Sequence, residues 1–380
     1  MSLTANTFDV AIIGAGPAGC ATALALRRLG RSCLVVERSH PTQVRIGETL
    51  PPAARRPLAA LGAWDSFLAA AHLPSVAIRS TWGSAETRER DFIFDPYGNG
   101  WHLDRGRFDA MLAEQAQAAG ADLRRPARLL RASADTPGAW TLHVATGAAC
   151  DVFRSRFVVD ATGRAASFAR QQGATRTAHD HLIGVVARYR PTTSQAVEAG
   201  FMLLEATRGG WWYGAPLPDA RLVMTLMTDH DLHARGVREF EASLMQTEHA
   251  ARRVQGFALE GRPRPTPAHS ACLAPVCGAQ WLAVGDAAVS CDPLSGQGIM
   301  KALDMGMLAG RTISSHLAGD ATAMRDYQAK VRSDFERYLA MRDAYYSSET
   351  RWADSPFWRR RLFARQPLRE QGHIAPAKNW

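Results

Sequence analysis

The sequence predicts an α/β protein: an open parallel sheet built on a βαβ unit, a mixed sheet inserted into it, and a helical C-terminal tail. Three observations predict it. Residues Phe8 to Val36 read as apolar strand, Ala/Leu-rich helix and apolar strand in turn. Two runs, LIGVVARYR from Leu182 and ARLVMTLMT from Ala220, have the composition and patterning of strands in a mixed sheet. From Tyr327 to Tyr346 the apolar residues recur at the spacing of a long amphipathic helix.

The composition narrows the classes of function. With 380 residues, 46% hydrophobic and 21% charged, the chain is globular, which rules out wholesale disorder, collagen and coiled coil. The formal charge is +9, and 42 of the 45 basic residues are arginine, leaving Lys301, Lys330 and Lys378. Arginine is spread along the chain apart from Arg359-Arg360-Arg361, without the basic clusters and interleaved aromatics of a nucleic-acid surface. The six cysteines show no CxxC pair and no zinc spacing, which argues for reduced thiols and a cytoplasmic protein. The apolar stretch Phe8 to Leu26 lacks a basic n-region and is interrupted by Gly14, Gly16, Pro17 and Gly19, so it is no signal peptide. No other run is long and apolar enough to span a bilayer. No metal site is expected: His230 and His233 with Asp229 and Asp231, and His179-Asp180-His181, read as solvated surface.

The first element in order is FDVAII (Phe8 to Ile13), with the character of a buried parallel strand. GAGPAG follows, then the helical segment CATALALRRLG ending at Gly30, and a second apolar run from Ser32 to Val36 that closes at Glu37. Gly14 permits the tight strand-to-helix turn, Gly16 lets backbone approach a pyrophosphate, and Gly19 lets helix and strand pack closely. The helix N-terminus supplies free N–H groups and partial positive charge for phosphates. Glu37 can accept hydrogen bonds from both ribose hydroxyls, and a carboxylate there disfavours a 2′-phosphate. A dinucleotide is expected here, with NAD and FAD as the candidates.

Later segments choose between them: VRIGETLPP (Arg45 to Pro52 within it), VVDATGR (Val158 to Arg164), and WLAVGDAAVSCDPLSGQGIMKAL (Trp281 to Leu303). Together with GAGPAG they resemble the flavoprotein monooxygenase superfamily with the glutathione-reductase-type, Rossmann-like FAD-binding domain. The resemblance implies FAD. It places Asp286 of the Gly285-Asp286 pair on the ribityl chain or pyrophosphate, and points the helix opening at Gly296-Gln297-Gly298 at the flavin pyrimidine. There a helix dipole stabilises negative charge on reduced flavin. HLDRGRFDAML (His102 to Leu112) resembles the family's Arg-containing helix start, so Arg105 is expected near the cofactor and Arg45 on the pyrophosphate. By the same match Ala18, Arg38, Gly47, Asp160, Gly163, Pro293 and Ile299 join the cofactor-binding set.

Two stretches narrow the resemblance. GETLPP at 47–52 resembles the signature of flavin-dependent halogenases and their relatives, and GGWWYGAPLP (Gly209 to Pro218) looks like a degraded form of their Trp motif. The tail YYSSETRWADSPFWRRR (Tyr345 to Arg361) is similar to the halogenase-like branch that includes the flavoproteins of tryptophylquinone maturation. Halogenases of that resemblance carry a lysine between the GES and LDR-like segments. The stretch Pro52 to Trp101 has none, and Arg79 is the nearest in charge. Guanidinium is a poor substitute, being barely nucleophilic and permanently protonated.

The resemblance then implies a monooxygenase that hydroxylates an electron-rich aromatic ring through a C4a-hydroperoxyflavin. The ring belongs to a small molecule or to a tryptophan of a partner protein precursor. Trp211, Trp212, Tyr213, Pro216 and His102 are expected around the substrate, and Glu48 in a catalytic or gating role. With one GxGxxG, electrons are expected from transiently bound NAD(P)H or from a separate flavin reductase. Two alternatives stay open, a reductase of alkene or isoprenoid chains similar to geranylgeranyl reductases, and a halogenase. The FAD-binding domain is expected over 1–75, 101–180 and 270–320, the substrate domain over 76–100 and 181–269, and a helical C-terminal segment over 321–380. The Pro-rich run 261–269 reads as a linker and 231–252 as helical.

Overall fold

The computed structural model describes residues 6–40, 46–136, 138–192, 200–233 and 236–363. The chain divides into two units: Met1–His72, Leu103–His179 and Ser270–Phe335 in the first, and Leu73–His102, Asp180–His269 and Glu336–Trp380 in the second. Arg45 and the tail beyond 363 lie outside the described residues.

The first unit grows from the strand Asn6–Ile13, whose residues Val10, Ala11 and Ile12 are fully buried. An apolar strand covered on both faces belongs in the middle of a parallel sheet. It lies there, between Ala149–Asp160 and Cys33–Val36, parallel to both. The eight-stranded sheet runs from Cys277–Gly278 through Trp281–Ala283, Ala149–Asp160, Asn6–Ile13 and Cys33–Val36 to Asp122–Arg124, with a hairpin of Arg128–Thr136 and Ala139–Thr146 beside Ala149–Asp160. Register aligns Ile13 with Val36 on one side and Asp160 on the other, and Asp160 with Ala283. Four segments of the sequence argument therefore end along one line, at the carboxyl ends of parallel strands, where open α/β sheets bind ligands.

The second unit holds a seven-stranded mixed sheet, in order Phe257–Pro267, Leu182–Pro191, Leu222–Asp229, Gly210–Pro216, Phe201–Thr207, Ala77–Thr81, Arg88–Asp91. Only Phe201–Thr207 with Ala77–Thr81 is parallel. One face packs Trp212, Leu203, Met224 and Tyr189 with Phe240 and Leu244 of helix Val237–Met245 and with Val254. Glu205 fixes the short helix beside them by accepting the backbone N–H groups of Glu248, His249 and Ala250.

The run read as a linker is strand as far as Pro267. Its prolines, 263, 265 and 267, are two apart, so every missing N–H falls on the same side of the strand. The strand pairs only with Leu182–Pro191, and an edge tolerates this spacing where a central strand would not. The region read as helical, 231–252, becomes two short helices, Val237–Met245 and His249–Arg253. The amphipathic helix runs over Ala323–Tyr346, and the division between units falls inside it. No helix among the described residues is long and apolar enough to cross a membrane.

Candidate functional site: a dinucleotide cradle

Gly14 leaves the first strand with φ +112, donating its N–H to Val36 O at 2.8 Å. A Cβ on Gly14 would lie 2.3 Å from Ala161 O, and one on Gly19 would lie 2.0 Å from Gly14 O. Any side chain at either position would lift the helix Pro17–Arg28 off the strand ends. Gly16 stands at the N-cap with extended backbone and no side-chain cap, and Pro17 has no N–H to satisfy. The amides of Ala18 and Gly19 head an uncapped helix, which is the donor set a pyrophosphate needs.

Glu37 is buried at the end of the second strand. One carboxylate oxygen accepts the N–H of Ala15 at 2.7 Å, and the other accepts the N–H and hydroxyl of Ser39. Arg38 beside Glu37 is exposed.

Gly285 has φ +61, and a Cβ there would lie 2.6 Å from Ala18 Cβ, so the Gly285-Asp286 turn abuts the first turn of the glycine helix. Pro293 opens a short turn, Gly296 takes φ +60, and Gln297 is the uncapped N-cap of helix Gly298–Leu317, with Ile299 buried in its first turn. This helix packs on the glycine helix through Gly306 and Gly310. Their Cβ atoms would meet Ala21 Cβ at 2.6 Å and Ala25 Cβ at 2.5 Å, respectively. Contacts rise together along both helices, so the two run in the same direction. The N-terminus of Gly298–Leu317 projects about one turn further. Two uncapped helix starts thus face one side of the sheet. Gly306 and Gly310 lie outside the motifs that the sequence displays. Their signal was the four-residue spacing opposite the small residues Ala18, Ala21, Thr22 and Ala25.

Three residues expected at the cofactor also make contacts within the protein. Asp160 is fully buried, with Oδ1 accepting Thr162 N–H and hydroxyl and Oδ2 accepting Ala169 N–H. Its carboxylate braces the turn carrying Gly163, which has φ +66. Arg105 pairs with Asp109 at 3.2 Å and donates to the carbonyls of Ile46 and Gly47. It clamps the GET loop, and a Cβ on Gly47 would lie 2.9 Å from its guanidinium. Asp286 is flanked by Lys301 at 3.4 Å and Arg164 at 3.7 Å, two cations the sequence argument did not single out. Glu48, buried, accepts the N–H of Gly47 at 3.0 Å, and its carbonyl accepts Leu103 N–H.

In the second unit, the expected ring pocket is divided by the pleat. Trp211 and Tyr213 point to one face of the sheet, Trp212 and Pro216 to the other. Trp212 is core, with its ring centroid 5.1 Å from Phe240. Trp211 donates Nε1–H to the hydroxyl of Tyr346 at 2.9 Å and joins Trp82, Tyr345 and Trp358 in an aromatic cluster. His102 is fully buried with no hydrogen-bond partner on either ring nitrogen. Burial, helped by the charge of Arg253, holds its pKa down at about 3, so it stays neutral. Arg79 pairs with Glu89 at 2.6 Å and stacks on Phe201, 3.8 Å from the ring centroid, with Arg253 at the same distance.

The residues read as a solvated loop are an ion cluster. Asp229 is buried and pairs with Arg360 at 3.0 Å and Arg361 at 2.7 Å, while Asp231 pairs with Arg360 at 2.6 Å. Asp180 likewise pairs with Arg342 at 2.6 Å.

A family model described as FAD binding domain matches residues 7–337. A protein of Marinomonas mediterranea described as an FAD-dependent oxidoreductase, LodB, is 29% identical over 371 residues, covering 94% of this chain and 97% of that protein. The fold is similar to that of the myxobacterial chondrochloren halogenase CndH, with TM-score 0.85 and 23% identity over 94% of this chain and 86% of that one. It is also similar to the peptidyl tryptophan dihydroxylase QhpG of tryptophylquinone cofactor biogenesis, with TM-score 0.77 and 23% identity over 97% of this chain and 81% of that one.

Proposed function

Because the chain belongs to the FAD binding domain family, we propose that it is a flavin-dependent monooxygenase that hydroxylates an electron-rich aromatic ring. The observation that carries this reading within a halogenase-like fold is the state of Arg79. No lysine lies between Pro52 and Trp101, and Arg79, the nearest analogue in charge, is held by Glu89 and Phe201. A guanidinium so held has no free nucleophilic nitrogen for a halogenating species. The similarity of fold to a peptidyl tryptophan dihydroxylase supports a tryptophan side chain of a partner protein as substrate, with a small aromatic molecule as the other source of the same ring.

Bound FAD would supply the electron pair and the oxygen activation; the chain supplies the rest. Gly14, Gly16 and Gly19 leave room for the pyrophosphate, and the amides of Ala18 and Gly19 bind it. Glu37 receives the ribose hydroxyls. The N-terminus of Gly298–Leu317 offsets negative charge on the pyrimidine of the reduced cofactor. Arg105 keeps the GET loop, with Glu48 on it, in place. Electrons come from transiently bound NAD(P)H or from a separate flavin reductase, because the chain has one GxGxxG and Glu37 closes it.

The test uses the flavin-loaded protein with a flavin reductase, isotopically labelled dioxygen, bromide, and either indole or a tryptophan-containing peptide. The expected product carries label from dioxygen and no bromine. A halide-dependent product at enzymatic rates would overturn the reading. So would clean anaerobic reduction of an alkene, which would favour the reductase class.

A further inference from the structure

Lysine is scarce in this chain, three residues against 42 arginines, and one of the three sits where arginine would serve a salt bridge equally well. Lys301, in the first turn of helix Gly298–Leu317, donates to Val289 O at 2.7 Å and lies 3.4 Å from Asp286 Oδ1. Its third neighbour is the thiol of Cys291, with Nζ to Sγ also 3.4 Å. The backbone around the thiol is held: Arg164 donates to Cys291 O at 3.2 Å, and Arg176 donates to Asp286 O at 2.9 Å and Ser290 Oγ at 2.7 Å. The amine and the thiol are thus fixed within one atom's span of each other, on the loop and helix that follow Gly285-Asp286. Cys291 is a free cysteine, in no disulfide.

We propose that Cys291 and Lys301 are a modification site for hydrogen peroxide, which joins Sγ to Nζ through a single oxygen atom as an N–O–S bridge. A primary amine can make this bond; a guanidinium, barely nucleophilic, cannot. In the first step the thiol takes one oxygen from peroxide: an S–O bond forms, the O–O bond breaks, and one water leaves, giving a sulfenic acid. In the second, the ammonium of Lys301 releases one proton to solvent, and a second peroxide is reduced to two waters as the sulfenic O–H and one N–H of the resulting amine are lost and the O–N bond forms. Each peroxide accepts two electrons, and the pair is oxidised by four. Burial holds the resting thiol above its ordinary range, with the charge of Lys301 pulling the other way, so the pair stays quiet until peroxide accumulates. That the enzyme itself is a source of peroxide rests on the oxygenase reading above; the chemistry of the pair does not. The bridge would remove the ammonium from Asp286 and tie the loop to the helix.

The experiment treats the whole flavin-loaded protein with hydrogen peroxide and digests it with trypsin before and after a thiol reductant. Three results are expected. The peptide containing Cys291 and Lys301 gains one oxygen and loses two hydrogens, trypsin fails to cut after Lys301, and the reductant reverses both changes. Lys301→Arg should stop at the sulfenic acid, trapped by dimedone, and Cys291→Ser should show no change at this peptide. If the variants do not fold, the wild-type mass and cleavage pattern decide alone. Oxidation of Cys291 only to sulfinic or sulfonic acid with cleavage after Lys301 intact would overturn the proposal. A disulfide, or modification confined to the exposed Cys150, would do the same. Because peroxide is added directly, these outcomes do not depend on whether the enzyme oxygenates an aromatic ring.

Discussion

His102 is a titratable group that its surroundings keep from titrating. Burial and Arg253 lower its pKa from 6.5 to about 3, so between those values an unfolded chain takes up a proton that the folded chain refuses. Stability from this residue is therefore fully present above pH 6.5 and is lost as pH falls toward 3, at about 1.4 kcal/mol per pH unit. His102→Phe should flatten that part of the pH profile, checked by urea unfolding at pH 7 and pH 5. An unchanged profile would return the ring to ordinary solvent contact. Gly16 works in the opposite sense, since its φ of −74 is one that any residue adopts. Gly16→Val should fold and lose the flavin absorbance, because the added carbons occupy phosphate space. A folded variant with full flavin content would move the pyrophosphate elsewhere.

At the scale of elements, the helix pair Pro17–Arg28 and Gly298–Leu317 sets the distance between the two helix starts. Gly306→Val places carbons where Ala18 O stands 2.7 Å from the would-be Cβ. Overpacking of this kind costs about 1–3 kcal/mol. Lower thermal stability together with weaker FAD retention in a flavin-release assay is the expected result. A loss of stability with affinity intact would separate the packing from the cradle. The same scale shows where sequence was a good guide and where it was not. The βαβ unit was legible because glycine, strand and helix each carry their own local rule. Trp211 and Trp212 were read as one pocket because adjacency in sequence hides the period of two that sends them to opposite faces. The Pro-rich run misled because proline breaks a central strand but suits an edge, and edge position is a property of the sheet. Asp160 and Arg105 were legible as motif residues. Their bonds to Thr162, Ala169, Ile46 and Gly47 are made by the fold and leave no mark in spacing.

For the whole molecule, every described residue proposed to hold FAD falls in the first unit, and the tryptophan strand falls in the second. Removing FAD should therefore raise hydrogen exchange at 13–19 and 285–299 and leave the amides of Phe201–Thr207 and Leu222–Asp229 little changed, as read by mass spectrometry. A uniform rise would show that the cofactor supports both units alike. The seven-stranded sheet carries one more consequence, in its two outer strands. Within Phe257–Pro267 the prolines at 263, 265 and 267 deny a newcomer three donors at alternate positions. Along Arg88–Asp91 the exposed sequence Arg-Glu-Arg-Asp meets it with alternating charge. A second polypeptide trying to lengthen the ladder finds missing hydrogens at one border and a row of charged side chains at the other. The sheet is thus bounded at one rim by missing donors and at the other by charges that a newcomer must match in register.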